Sequence, residues 1–174
     1  RELKEGESLD ITEIREQAIK QSLAESTNVK NTYVYSTTDI KNVSETAFNK
    51  RAYIDNYSRA ARELDQIQFT ELELFARYID NEDEAALVEL VKNKDRYESF
   101  ASKLVGINVP SAVSQVHLEL VNNLMIYANT IGSMTRVSED PLTAIVAMQT
   151  LVEDEELIVK NFDALSLYIT GNNL

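Results

Sequence analysis

The chain has 174 residues, 44% of them apolar, enough for one ordinary domain that buries roughly two-thirds of the surface its unfolded form exposes. Its 17 basic and 29 acidic residues give a net charge of −12, which speaks against binding to nucleic acid or to an anionic membrane surface. The absence of cysteine removes thiol catalysis, zinc-thiolate sites and disulfides, and four glycines with two prolines are too few for the turns of an all-β fold.

Residues 1–9, "RELKEGESL", are polar and without period, and read as a tail or linker ahead of a single domain over 10–174. At "DITEIREQAIKQSLAES" Asp10 is placed to cap a helix, with Glu13 completing a capping box and Ile11, Ile14, Ala18 and Leu23 giving a thin apolar face. Next comes "TNVKNTYVYSTTDIKN" (27–42), rich in Thr, Tyr and Val, with no stretch of similar character elsewhere to pair with. It reads as an ordered loop laid across the helices with its tyrosines in grooves. The alternative is that "TYVY" (32–35) pairs with a strand of another molecule, which makes Tyr33, Val34 and Tyr35 the candidate partner-binding residues.

From Ser44, a cap candidate, Tyr53, Tyr57, Ala60, Ala61, Leu64, Ile67, Phe75, Tyr78 and Ile79 fall on one helical stripe, either continuous to about residue 80 or broken near "QFT" (68–70). "DNED" (80–83) is the turn. Leu87, Leu90, Val91, Tyr97, Ala101, Leu104 and Val105 form the next stripe, with Gly106 in the position of a C-terminal cap. "INVP" connects to a helix from about Ser111 to Val137. Asp140-Pro141 then opens the last helix, with Ile145, Met148, Val152, Val159, Phe162 and Ile169 as its inward seam. The expected fold is all-α: an elongated bundle of four or five helices ending in a long antiparallel hairpin.

Candidate chemistry is sparse. His117, the one histidine, falls at the edge of the stripe formed by Val113, Leu120, Leu124, Tyr127 and Ile131. Ser114 stands where a Glu-x-x-His metal helix needs its carboxylate, and a hairpin pivoting on 138–140 puts Lys160 and Asn161, not Glu155, beside it. His117 therefore reads as structural. The acidic runs "NEDE" (81–84) and "EDEE" (153–156) read as charged helix faces, as do the basic stretches "NKR" (49–51) and "KNKDR" (92–96). No Gly-rich phosphate loop and no calcium loop is present, since Ala85 occupies the position that needs glycine. The chain is read as non-enzymatic, without cofactor or metal.

The segment 109–148, with Pro110 before a helix, then His117, Leu118, Leu120 and Asn122, then Asp140-Pro141 opening the final helix, resembles a family of uncharacterised helical proteins of candidate-phylum (Patescibacteria-type) bacteria. The resemblance covers under a quarter of the chain and carries no catalytic residues. It implies an extracytoplasmic segment tethered by an N-terminal hydrophobic anchor and associated with surface or secretion apparatus. The start at Arg1 agrees with a processed piece, and the longest apolar run, "AIVAM" (144–148), is far below the ~20 residues that span a bilayer. Membrane attachment is therefore expected only through an anchor outside this segment. The leading expectation is a helical protein-interaction module, and the alternative is a sensory bundle that binds a small ligand between its helices.

Overall fold

A computed structural model describes residues 35–171. The tail over 1–9, the helix expected at 10–26 and the residues Tyr33 and Val34 lie outside the described residues. Within them the chain is an all-α bundle of five helices: α1 (Ala47–Ala61), α2 (Glu71–Asn81), α3 (Glu84–Val105), α4 (Ser114–Met134) and α5 (Pro141–Gly171). Two three-residue strands, β1 (Lys41–Val43) and β2 (Asn108–Pro110), complete it.

Local chemistry sets the helix boundaries. Thr46, two residues beyond the expected Ser44, accepts the Asn49 N–H at 3.2 Å and starts α1. The long stripe breaks at "QFT": a 3-10 turn at Leu64–Gln66 precedes Thr70, which forms a reciprocal capping box with Glu73 and opens α2. Glu82 closes α2 in the left-handed conformation with φ 53°, and Asp83 caps α3 by accepting from the Ala85 and Ala86 N–H groups. Gly106 ends α3, but with φ −75°, so any residue could adopt its backbone conformation. Asp140 accepts the Thr143 N–H at 3.0 Å ahead of Pro141, whose missing N–H falls where no helical bond is needed.

The end of the strand-like stretch, Lys41 and Asn42, does have a partner inside the chain, contrary to the sequence reading. β1 and β2 pair in parallel, with Lys41 opposite Asn108, Asn42 opposite Val109 and Val43 opposite Pro110. "INVP", read as a plain connector, supplies the second strand. Three residues are too few to show alternation, and Pro110 ends the ladder because it has no N–H to give.

α4 is the axis of the molecule, flanked by α3 on one side and α5 on the other. The fully buried large side chains come from every helix: Tyr53 of α1, Leu74 of α2, Leu90, Phe100 and Leu104 of α3, Leu120, Leu124, Ile131 and Met134 of α4, and Leu151 and Leu165 of α5. Each such aliphatic side chain stabilises the fold by about 1.5–3 kcal/mol relative to exposure.

The α4–α5 pair is antiparallel, as expected, and Met148, Phe162 and Ile169 of the expected seam pack against the core, but the buried row is a different one. Ala144, Ala147, Leu151, Asp154, Ile158, Asn161 and Leu165 face inward, in an unbroken three-four spacing. Ile145, Val152 and Val159, assigned to the seam from the sequence, stand 45%, 47% and 49% exposed. That row is left on a flank of α5. Ile79 and Val91 likewise stand outside the core their stripes suggested.

Candidate functional site

His117 belongs to the centre of the core, not its edge. Its ring is fully buried, with Nδ1 3.1 Å from the Tyr53 hydroxyl and Nε2 3.1 Å from the Leu104 carbonyl oxygen. The carbonyl can only accept, so Nε2 carries the proton and Nδ1 accepts from Tyr53. Burial lowers the His117 pKa from 6.5 to about 4, against the smaller opposing effect of the Leu104 carbonyl. The imidazole is neutral at physiological pH, and both nitrogens are committed.

The neighbours expected for it were also displaced. Asn123 donates to Asn161 at 2.7 Å, and Thr130 donates to Asp154 at 2.7 Å. That register puts His117 level with about residue 167 of α5, more than a turn beyond Lys160 and Asn161. The hairpin therefore pivots on about residue 142, inside the start of α5, rather than on 138–140. Tyr53 and Tyr168 close the space instead, in an edge contact with ring centroids 6.2 Å apart.

Two further polar groups lie in the interior. Glu71, 5% exposed, accepts from the Tyr127 hydroxyl at 2.9 Å and from the Asn93 side chain at 3.1 Å. Asn93 also donates to the Phe69 carbonyl and accepts from Arg96, which continues to Glu89. Burial raises the Tyr127 and Tyr97 hydroxyls well above the ordinary phenol range, and the Glu71 carboxylate adds to the rise. This network ties α2, α3 and α4 together. Of the "EDEE" run only Asp154 turns inward; Glu155 and Glu156 are exposed. Of "NEDE", Asp83 caps α3 and pairs with Arg77 at 2.6 Å.

A concave feature lies where residues 35–37 meet the α4–α5 hairpin. A cavity of about 610 Å³ opens between Tyr35–Thr37, the first half of α4 (Leu118, Asn122 and neighbours) and Leu157, Lys160 and Asn161 of α5. Asn122 pins its rim: its side-chain Oδ1 accepts the Tyr35 N–H at 2.9 Å and its Nδ2 donates to the Tyr35 carbonyl at 3.0 Å. At Tyr35, then, the backbone bonds a foreign strand would use are already made. The half-buried Tyr35 packs against the core, as the reading of a loop with grooved tyrosines anticipated.

Sequence reasoning passed over Glu71 and Asn93, named Asn122 only in the resemblance and Asn161 only as a neighbour of His117, and counted Asp154 in a charged face. The signal for two of them was present: Asp154 and Asn161 fall seven apart on the three-four seam of α5. Among the described residues no group of three or more His, Asp or Glu side chains is placed to hold a metal ion. No family model, curated protein or solved structure matches the chain.

Proposed function

We propose that the chain is a non-catalytic helical module that binds another protein along the outer flank of α5. The observation that carries this reading is the row Ile145, Val152 and Val159, about half exposed and spaced seven residues apart on one side of a helix. Apolar side chains repeated at that interval form the kind of seam that a second helix covers. A shallow depression of about 360 Å³ lies along it, lined by Val152 and Val159 with Glu155, Glu156, Asp163 and Lys160 around them. Three carboxylates against one amine, on a chain of net charge −12, favour a basic amphipathic helix as the partner.

The non-catalytic part of the proposal is supported by His117, whose nitrogens are both engaged within the core. The proposed setting is extracytoplasmic and tethered, supported by the likeness of residues 109–148 to helical proteins of that kind. Among the described residues no helix is long and apolar enough to cross a membrane.

The test is cross-linking and pull-down from the native cell with the full chain and with a Val152→Asp/Val159→Asp variant. The variant loses the partner while its melting temperature holds, and raised salt weakens capture by the unaltered chain. Equal recovery by both chains rejects the α5 flank as the binding face.

A further inference from the structure

We propose that the cavity between Tyr35, α4 and α5 is the dock for the chain's own N-terminal segment, residues 10–26. This surface meets the proposed partner face only at Lys160, and Leu157 lies roughly 150° around α5 from Val152 and Val159.

Three observations converge. The first is where the described chain begins. Tyr35 forms part of the cavity wall, and the two bonds from the Asn122 amide fix its backbone there. The 34 residues before it therefore leave from the rim of the cavity itself.

The second is length. Residues 27–34 span at most about 28 Å when extended, and a helix over 10–26 is about 25 Å long. Those dimensions let the segment turn back and lie along the groove between α4 and α5.

The third is chemical fit. The cavity offers apolar surface at Leu118 and the 46% exposed Leu157, beside charges of both signs at Glu119 and Lys160. The segment carries Ile11, Ile14 and Ala18 at helical spacing, with Arg15 on the flank of that face and available to Glu119. Docking covers Leu157 and completes a third contact surface for the hairpin, and it is intramolecular, so its effective concentration is high whatever the protein concentration.

The chain contains no tryptophan and no cysteine, so single reporters can be introduced without background. In the full chain, Leu157→Trp should emit in the blue-shifted range of a covered indole and resist quenching by acrylamide. Adding Ile11→Asp/Ile14→Asp should move the emission to the red and speed quenching several-fold, with helical content retained. As a second measurement, Leu157→Cys is combined in turn with Ile11→Cys, Ile14→Cys and Ala18→Cys and treated with a short bismaleimide. At least one pair should give an intramolecular link that migrates as a monomer. The proposal is overturned if the indole is solvent-exposed in the full chain, or if the aspartates leave its emission unchanged. It is equally overturned if no pair links, if links form only between molecules and vanish on dilution (a second copy), or if the blue shift needs an added small molecule. Val152→Asp/Val159→Asp leaves the indole signal in place, so this result stands or falls apart from the partner face.

Discussion

α4 and α5 are both long, apolar helices of the same hairpin, yet they use their apolar residues differently. α4 has neighbours around most of its circumference, and twelve of its residues are buried. α5 takes its main support from α4, with Phe162 and Tyr168 reaching Phe100 of α3 and Tyr53 of α1. Eight of its 31 residues are buried, while Leu142, Ile145, Val152, Leu157, Val159 and Leu167 keep a third or more of their surface in water. An apolar helix surrounded by others is a core element. One supported mainly along a single face carries a surplus that a monomeric bundle does not use, and that surplus is where binding is to be sought.

The contrast is broken most directly by matched truncations. Leu124→Ala removes a side chain with no exposure from the middle of α4 and should cost about 4 kcal/mol, read as a fall of roughly 10 °C or more in Tm. Val159→Ala on the bare flank of α5 should change stability by no more than about 0.5 kcal/mol. Comparable losses at the two positions would mean that the α5 flank is already covered and is part of the core.

The next largest effect tests the polar interior of α4. His117 has a pKa of about 4 in the folded chain against 6.5 unfolded, because burial penalises the imidazolium. Between those values the unfolded state binds the proton and the folded state does not. Stability is therefore full above about pH 6.5 and falls as the pH drops towards 4, by an amount on the order of 3 kcal/mol. The carboxylates of Glu73 and Asp83, held below their ordinary range by hydrogen bonds from the Thr70 backbone and from Arg77, lose their contributions only lower on the scale. Urea denaturation at steps from pH 7 to 4 should show the slope in the native sequence and a flatter line in His117→Gln. A slope that survives the substitution would assign it to other groups.

How legible this was depended on the number of neighbours each helix has. The turn at 80–83, the cap at Asp140, the break near "QFT" offered as one of two readings, and the antiparallel hairpin could be read from short stretches. The orientation of α5 could not. Its two interleaved apolar rows, one led by Ile145, Val152 and Val159 and one by Ala144, Leu151, Ile158 and Leu165, both repeat at seven residues. The wholly apolar row attracted the assignment, because Asp154 and Asn161 made the other look polar. Glu71 and Asn93 were hidden for the same reason: a buried polar residue has no sequence signature until its partners, here Tyr127 and Arg96, are brought from other helices. The short pairing of β1 with β2 is likewise set by tertiary placement.

The polar positions in that seam give a smaller, sharper test. Thr130→Val keeps the shape of the side chain but removes the hydroxyl that donates to buried Asp154, and should cost about 2 kcal/mol. Because Asp154 sits between Leu151 and Ile158, Asp154→Leu in the Thr130→Val background should recover much of the loss by extending the apolar seam. Failure of the leucine to recover stability would show that the carboxylate has a further role in fixing the register of the hairpin.

The smallest effect is expected at the edge of the cavity. Asn122, 3% exposed, holds the Tyr35 backbone with two neutral hydrogen bonds, one donated and one accepted, from a helix to a segment 87 residues earlier in the chain. Asn122→Ala removes both, yet the freed Tyr35 groups can turn to water, so the global cost should be about 1 kcal/mol. The local effect should be larger than the global one: hydrogen exchange at the Tyr35 amide should accelerate strongly, while amides in the middle of α4 keep their protection. Asn122→Asp is the informative companion, because a carboxylate can accept the Tyr35 N–H but cannot donate to its carbonyl. An intermediate exchange rate at Tyr35 in that variant would show that the two bonds contribute separately. Unchanged exchange in Asn122→Ala would show that packing of the Tyr35 ring, rather than the amide of α4, anchors this segment to the hairpin.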